Sequence, residues 1–253
     1  MGNKATSIDK VLDILFLFTD HSELTAQEIS DILHSATSTT YKYLDILYKR
    51  GLLGKSIGGK SYILGHMTYK LGSRFIEGDG LLNIAVPHME SLANKCKETI
   101  ILTVISGWEG LVVADIQPSQ PYKLSVGLNT RAPLHAGAAQ KVLLAYQNDA
   151  FIADFISISG LPSLTPNTVT DADLLTSQLQ EIRKAGYAIA DSEVQTWLEA
   201  IAVPVFDHQK KIIASLASVS PRAPLSIKKS ETLINMLKEC SAKISHGLSV
   251  DDI

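Results

Sequence analysis

Gly54-Lys55-Ser56-Ile57-Gly58-Gly59-Lys60-Ser61 matches G-x-x-x-x-G-K-[ST], the spacing with which a glycine loop and a lysine cradle phosphates. That chemistry needs a buried strand before the loop and a helix after it, whose N-terminus holds the anion. The flanks fit poorly. Leu52-Leu53 is short for a buried strand, and Ser61-Tyr62-Ile63-Leu64 alternates like a strand and stops at Gly65. A P-loop nucleotide-dependent enzyme using Gly54 to Ser61 is therefore the alternative reading. No other catalytic set offers itself: G-x-S-x-G, H-E-x-x-H, C-x-x-C and G-x-G-x-x-G are all missing from the sequence. The seven histidines (His21, His34, His66, His88, His135, His208, His246) lack metal-site spacing. No enzyme activity, cofactor or metal is expected.

A second chemistry lies just upstream. Thr37, Ser38, Thr39 and Thr40 open a helical pattern that continues through Tyr41 and Lys42 to Arg50 and ends at Gly51. Thr40, Leu44 and Leu47 share its inner face; Thr37, Ser38, Tyr41, Lys42 and Asp45 share the other. Small hydroxyls and a lysine at a helix start suit base edges and phosphates in a major groove. Lys55 and Lys60 flank the Gly58-Gly59 turn of a hairpin, where they suit the sugar–phosphate backbone. Charge agrees. Residues 1–34 carry two basic and six acidic side chains, whereas residues 35–74 carry seven basic and one acidic. The whole chain is at −3, so the basic segment is a local feature.

Three short helices must position this site. Ser7 to Phe18 has helical spacing with Ser7 as N-cap. Thr25-Ala26-Gln27-Glu28 is a capping box opening a helix that buries Ile29, Ile32 and Leu33. The recognition helix follows, capped by Ser35 or Thr37. Helices and hairpin together make a winged helix-turn-helix over residues 1–65. Residues 66–80 read as a linker helix with glycines at its ends.

Residues 81–253 form a second domain. Leu81 to Lys97 is an amphipathic helix containing Pro87, after which the period switches to strands. Thr99–Ser106 and Leu111–Gln117 form a hairpin, and Lys123–Val126 is a further strand. Helices are expected at Gly137–Tyr146, Phe151–Ile156, Asp171–Ala185 and Ile227–Leu248. Strands are expected at Tyr187–Ala190, Ile201–Phe206 and Lys211–Val219. The fold class is α+β with two domains, the second a mixed sheet with helices. Two cysteines make no disulfide framework, and with no signal-peptide pattern or membrane-length apolar run the chain reads as cytoplasmic.

With these elements in order, the chain resembles the IclR family of bacterial transcription regulators. Three stretches carry the resemblance: Ser38-Thr39 to Arg50-Gly51-Leu52-Leu53 with the glycine wing; Arg131-Ala132-Pro133-Leu134-His135-Ala136 to Ala139-Gln140-Lys141; and Gly186-Tyr187-Ala188 to Asp191-Ser192-Glu193, continuing to Ile201-Ala202-Val203-Pro204-Val205-Phe206. The resemblance implies a GAF-like second domain that binds a small organic or aromatic acid. It also implies dimers or tetramers, operator DNA as partner, and control of a catabolic operon, with repression the expected sign.

Departures from the family pattern shape the expected effector site. Gln140 stands where glycine is usual, Ala190 where an acidic residue often precedes Asp191, and Trp197 where glycine is usual. Ala200 stands for a frequent cysteine, and Ala217 and Val219 for small hydroxyl residues. A site with Trp197, Leu198, Ala200, Ala217 and Val219 is more apolar than usual and favours a larger, more hydrophobic effector. Its polar candidates are His135, the helix N-terminus around Ala136, Ala138 and Ala139 as an anion holder, and Asp191 and Glu193. Arg131 is a candidate partner of either acid or of an anionic effector. Ser215, Ser218 and Ser220 are expected to face away from the ligand.

Overall fold

The structure, a computed structural model, describes residues 6–78, 80–119, 124–222 and 227–248, with side chains at 73–78 and 227–230 not described. It divides into two units, Met1–Asp79 and Gly80–Ile253.

The first unit begins with α1 (Ser7–Phe16), whose N-cap is Thr6 rather than Ser7. Thr6 and Asp9 form a capping box that the shorter sequence pattern concealed. A 3-10 turn (Leu17–Thr19) leads to β1 (Leu24–Thr25) and α2 (Ala26–Ile32). The Thr25–Glu28 capping box forms as the sequence predicts, with Glu28 Oε2 accepting the Thr25 amide at 2.7 Å. Ile32 is exposed, and Ala26 and Ile29 do the packing instead. α3 (Thr37–Lys49) has Ala36 as N-cap with no side-chain cap. Thr40, Leu44 and Leu47 are buried along it, as their spacing requires. They meet Ile14, Phe18, Leu24, Ile29, Leu53 and Tyr62 in one small core.

β2 (Leu53–Lys55) and β3 (Ser61–Leu64) are the arms of the wing, and β1 adds to β3 in antiparallel register. The wing reverses at Gly58-Gly59, where Gly59 takes φ +70°. A strand therefore follows Lys60, and the phosphate-loop geometry, which requires a helix there, is not formed. α4 (His66–Gly78) comes next. Gly65 has no room for a side chain, because a Cβ there would sit 2.2 Å from the carbonyl oxygen of Gly51. That close approach is held by Gly65 N–H donating to Leu52 O at 2.9 Å and Met67 N–H donating to Gly51 O at 3.0 Å.

The second unit is built on a six-stranded sheet of β4 (Thr99–Ser106), β5 (Glu109–Ile116), β6 (Arg131–Pro133), β7 (Ala188–Asp191), β8 (Leu198–Phe206) and β9 (Ile212–Pro221). The order is β6-β5-β4-β9-β8-β7, and every pairing is antiparallel, so the sheet itself is not mixed. The short β6 had no strand signal in the sequence. No strand forms at Leu124–Val126, and Lys123 lies outside the described residues. α5 (Gly80–Cys96) and α9 (Ile227–Leu248) cover one face over Ile100, Leu102, Val203, Val205 and Leu216. α6 (Ala138–Ala145), α7 (Asp149–Ser159) and α8 (Ala172–Ala185) cover the other, over Ile101, Val112, Ala202, Ala217 and Val219. This is the expected mixed α/β architecture. It explains why all eight residues of α6 are buried: that helix lies between the sheet and α8.

Candidate functional sites

On the first unit, Ser38, Tyr41 and Lys42 are exposed on the outer side of α3, opposite Thr40, Leu44 and Leu47. Thr39 is half-buried. Thr37 is tied inward, its hydroxyl 3.2 Å from that of Ser30, which itself donates to Ser35 O at 2.6 Å. Thr37 therefore helps fix the α2–α3 turn. Asp45 pairs with Lys49 at 2.6 Å, which leaves Lys42 as the cation beside Ser38 and Tyr41. On the wing Lys60 is exposed, whereas the Lys55 ammonium lies 3.4 Å over the ring of Tyr62. That stacking fixes the lysine stem and keeps its charge at the surface. Ile57 stands fully exposed at the wing tip.

On the second unit the N-terminus of α6 is the electrostatic centre. Gly137 is its N-cap at φ +90°, and a Cβ there would lie 2.7 Å from Gln140 Oε1 and 2.9 Å from Val194 Cγ2. The Gly137 N–H donates to Glu193 Oε2 at 3.0 Å, and Glu193 Oε1 lies 2.5 Å from Lys141 Nζ. Lys141 also donates to Gln178 on α8 at 3.1 Å. Both members of the ion pair are buried. The anion position that the sequence offers to an effector is thus taken by a carboxylate of the chain itself, where helix dipole and lysine both favour it.

The loop carrying Glu193 is pinned. Thr165 Oγ1 donates to Ser192 O and Thr168 Oγ1 to Glu193 O, each at 2.6 Å. Ser192 adopts φ +60° and donates to Thr196 O at 2.9 Å. Thr165 and Thr168 carried no recognisable signal, since their partners are 25 to 28 residues away. The Lys141–Glu193 pair had one: both residues lie inside the stretches that carried the family resemblance.

His135 is fully buried, with its ring centroid 6.0 Å from that of Phe155. Its Nε2 lies 3.0 Å from Pro162 O, a carbonyl that can only accept, so Nε2 carries the proton and donates. Nδ1 has no partner among the described residues. Burial depresses the His135 pKa below its ordinary value of 6.5, against the opposing pull of the Pro162 hydrogen bond and Glu193. A depressed folded-state pKa means the unfolded chain takes up the proton first. The stability this residue supports is therefore full above pH 6.5 and is lost as pH falls through 6.5 toward the lower folded value. His135→Gln should lose less denaturant stability than the wild type between pH 7.5 and pH 5.5. Parallel losses in the two proteins would contradict this.

Ala136, Ala138, Ala139, Ala217 and Val219 are all buried, and Leu198 and Ala200 pack against the same apolar cluster as Ala138, Ala139, Ala217 and Val219. The structure does not bring Trp197 or Asp191 to them. Trp197 is 51% exposed. Asp191 alternates away from buried Ala188 and Ala190 on the edge strand β7, and its carboxylate meets Arg222 at 3.0 Å. Arg131 pairs with neither expected acid; it reaches Glu109 at 3.5 Å and Ser106 at 3.1 Å. Ser215 also corrects the sequence reading: it shares a strand face with Ala217 and Val219, two and four residues on, while Ser218 and Ser220 point the other way. A cleft of 290 Å³ opens elsewhere, between α7 and α8, lined by residues that include Ile152, Ala153, Ile156, Leu179 and Arg183.

The profile of the bacterial transcriptional regulator IclR C-terminal family matches residues 74–246, and that of the IclR helix-turn-helix domain matches residues 7–56. The chain belongs to the IclR family. It is 25% identical to the HTH-type transcriptional regulator KipR of Bacillus subtilis, over 98% of this chain and 99% of that protein. It is 26% identical to KdgR of Escherichia coli, over 99% and 95%. Among solved structures, an IclR homologue of Microbacterium hydrocarbonoxydans complexed with 4-hydroxybenzoate superposes with a TM-score of 0.84 at 26% identity, over 96% of this chain and 99% of that one. IclR of Thermotoga maritima gives 0.79 at 26%, over 96% and 98%. This IclR-family chain is a DNA-binding transcription regulator and not an enzyme. The phosphate-loop pattern at Gly54 to Ser61 is its wing. Among the described residues no helix is long and apolar enough to cross a membrane.

Proposed function

We propose that this regulator is a cytoplasmic dimer or tetramer that represses a catabolic operon and responds to a small organic or aromatic acid. The observation that carries the DNA reading is the exposed edge of Ser38, Tyr41 and Lys42 on α3, beside a wing with Lys55 and Lys60. Ser38, Thr39 and Tyr41 read bases in the major groove, Lys42 holds a phosphate, and the wing lysines hold backbone outside it. Thr37 contributes by fixing the turn. The 4-hydroxybenzoate complex of the Microbacterium relative supports an aromatic acid as effector. Relatives named AllR, described as repressors, support the sign. The effector site lies between α6 and the sheet, along Ala138, Ala139, Leu198, Ala200, Ala217 and Val219, with His135 and Glu193 at the helix start. Effector binding acts through α4 on the spacing of two DNA modules, and only by its differential affinity for two arrangements.

Dimerisation is supported by α1, whose Ile8, Leu12 and Phe16 form an exposed apolar stripe at spacings of four. The test is a gel shift on the DNA upstream of the protein's own gene, with and without 4-hydroxybenzoate and a panel of small acids. Retardation that no acid alters would sink the effector reading, and no retardation would sink the operator reading. Lys42→Ala should weaken all DNA alike and reduce the salt slope by about 0.9, the value of one phosphate contact. Ser38→Ala should instead change which sequences are preferred. An unchanged salt slope in Lys42→Ala would remove the phosphate role.

A further inference from the structure

Two hydroxyls in the middle of the second unit's sheet have no hydrogen-bond partner among the described residues. Thr103 on β4 and Ser215 on β9 are register partners, both fully buried. Neither Thr103 Oγ1 nor Ser215 Oγ has a hydrogen-bond partner among the described residues. Three other buried hydroxyls of this unit are bonded: Thr99 donates to Leu124 O at 2.7 Å, Thr165 to Ser192 O at 2.6 Å and Ser241 to Pro204 O at 2.5 Å. Buried polar groups are paired as a rule, and an unpaired one is destabilising, so two adjacent exceptions need a reason other than folding. Valine and alanine would fill the same strand positions without that cost.

Their placement supplies the reason. Ser215 stands on the same face as Ala217 and Val219, and Thr103 on the same face as Ile101, all beneath α6. Gly110 on β5 lets Thr103 and Gln140 come together over the strand: a Cβ there would lie 3.0 Å from Thr103 Cγ2 and 2.9 Å from Gln140 Cγ. Gln140, in the first turn of α6, thus sets its side chain beside the methyl group of Thr103, with Nε2 3.5 Å from the same point. The three side chains are neutral donors and acceptors. The carboxylate-binding groups nearby, Gly137 N–H and Lys141, are already satisfied by Glu193.

We propose that Thr103, Ser215 and Gln140 form the polar end of the effector site and select a ligand with a neutral hydroxyl, such as a phenol, on an apolar ring lying along Ala217 and Val219. The polar handles expected at positions 217 and 219 are displaced by one step along the same face, to Ser215 and its neighbour Thr103. The proposal rests on the effector-binding reading. It adds a specificity that this reading does not require.

The test compares phenol with toluene, which lacks the hydroxyl, by ligand-observed NMR titration of the full-length protein, its Thr103→Val/Ser215→Ala variant and the conservative Thr103→Ser variant. Wild type should bind phenol about fivefold more tightly than toluene. The double variant should bind both alike, and Thr103→Ser should keep the preference. Without ligand the double variant should melt at or above the wild-type temperature, because neither hydroxyl has a partner to lose. A preference that survives in the double variant, a wild type that fails to discriminate, or binding of neither probe would overturn the proposal. A fall in melting temperature of more than ~4 °C would overturn it too, by showing that the hydroxyls serve the fold. Operator release by acids, measured separately, decides the effector reading whichever way the phenol test falls.

Discussion

Replacing Glu193 by alanine is expected to remove about 3–5 kcal/mol from the stability of the second unit, the cost of leaving one member of a buried ion pair without its partner. Lys141 Nζ would retain Gln178 at 3.1 Å, but its charge would stay buried in α6 between the sheet and α8. The Gly137 N–H would lose its acceptor at the same time. Both effects have the same sign, and the loop from Ser192 to Trp197 offers no other carboxylate. Replacing both partners by apolar residues of similar volume, Lys141→Met with Glu193→Leu, should recover most of the loss, because the desolvation of two charges disappears with their attraction. The measurement is the denaturant midpoint of the three proteins at constant m-value. A Glu193→Ala protein within ~1 kcal/mol of wild type would show that Lys141 finds water or another acceptor, and the helix N-terminus would again be open to an external anion.

A second large effect is expected on α1. Ile14 and Phe18 face the core, while Ile8, Leu12 and Phe16 are 71%, 43% and 59% exposed on the outer side. A helix with apolar residues on both sides has a use for both. Leu12→Asp with Phe16→Lys should leave the small core intact and separate the proposed dimer into protomers. Operator affinity should then fall by about 10²- to 10⁴-fold, because two linked modules bind as one event and two free ones do not. Sedimentation equilibrium alongside the gel shift checks both halves. A variant that stays dimeric would place the interface elsewhere, and a wild type already monomeric at the same concentration would overturn the dimer.

How much of this was legible before the fold was known follows from which interactions are local. The α2 capping box, the inner face of α3, the glycine wing and the long helices α8 and α9 depend on residues within a few positions of one another, and the sequence displayed them. The Thr6 cap and the strand β6 were missed although they too are local, because a three-residue strand and a cap one position early carry little pattern. Ser215 departs from the expectation that all three serines face away, because strand parity puts it on the face of Ala217 and Val219. The phosphate-loop pattern needed only the strand after it to be set aside, and that strand was visible as alternation.

The candidate site divides along the same line. The sequence by itself determined a basic, hydroxyl-bearing helix with a wing, a second domain of sheet and helices, and the stretches that contain Lys141 and Glu193. The tertiary structure decided that these two meet across 52 residues, that Glu193 fills the start of α6, and that Asp191 and Trp197 turn outward. It also decided that Thr103 and Ser215 stand opposite each other, 112 residues apart in the chain, as hydroxyls with no partner among the described residues. The reason is physical: whether a polar group is satisfied depends on the partner that strand register and helix packing bring to it, and neither is encoded within reach of the residue itself.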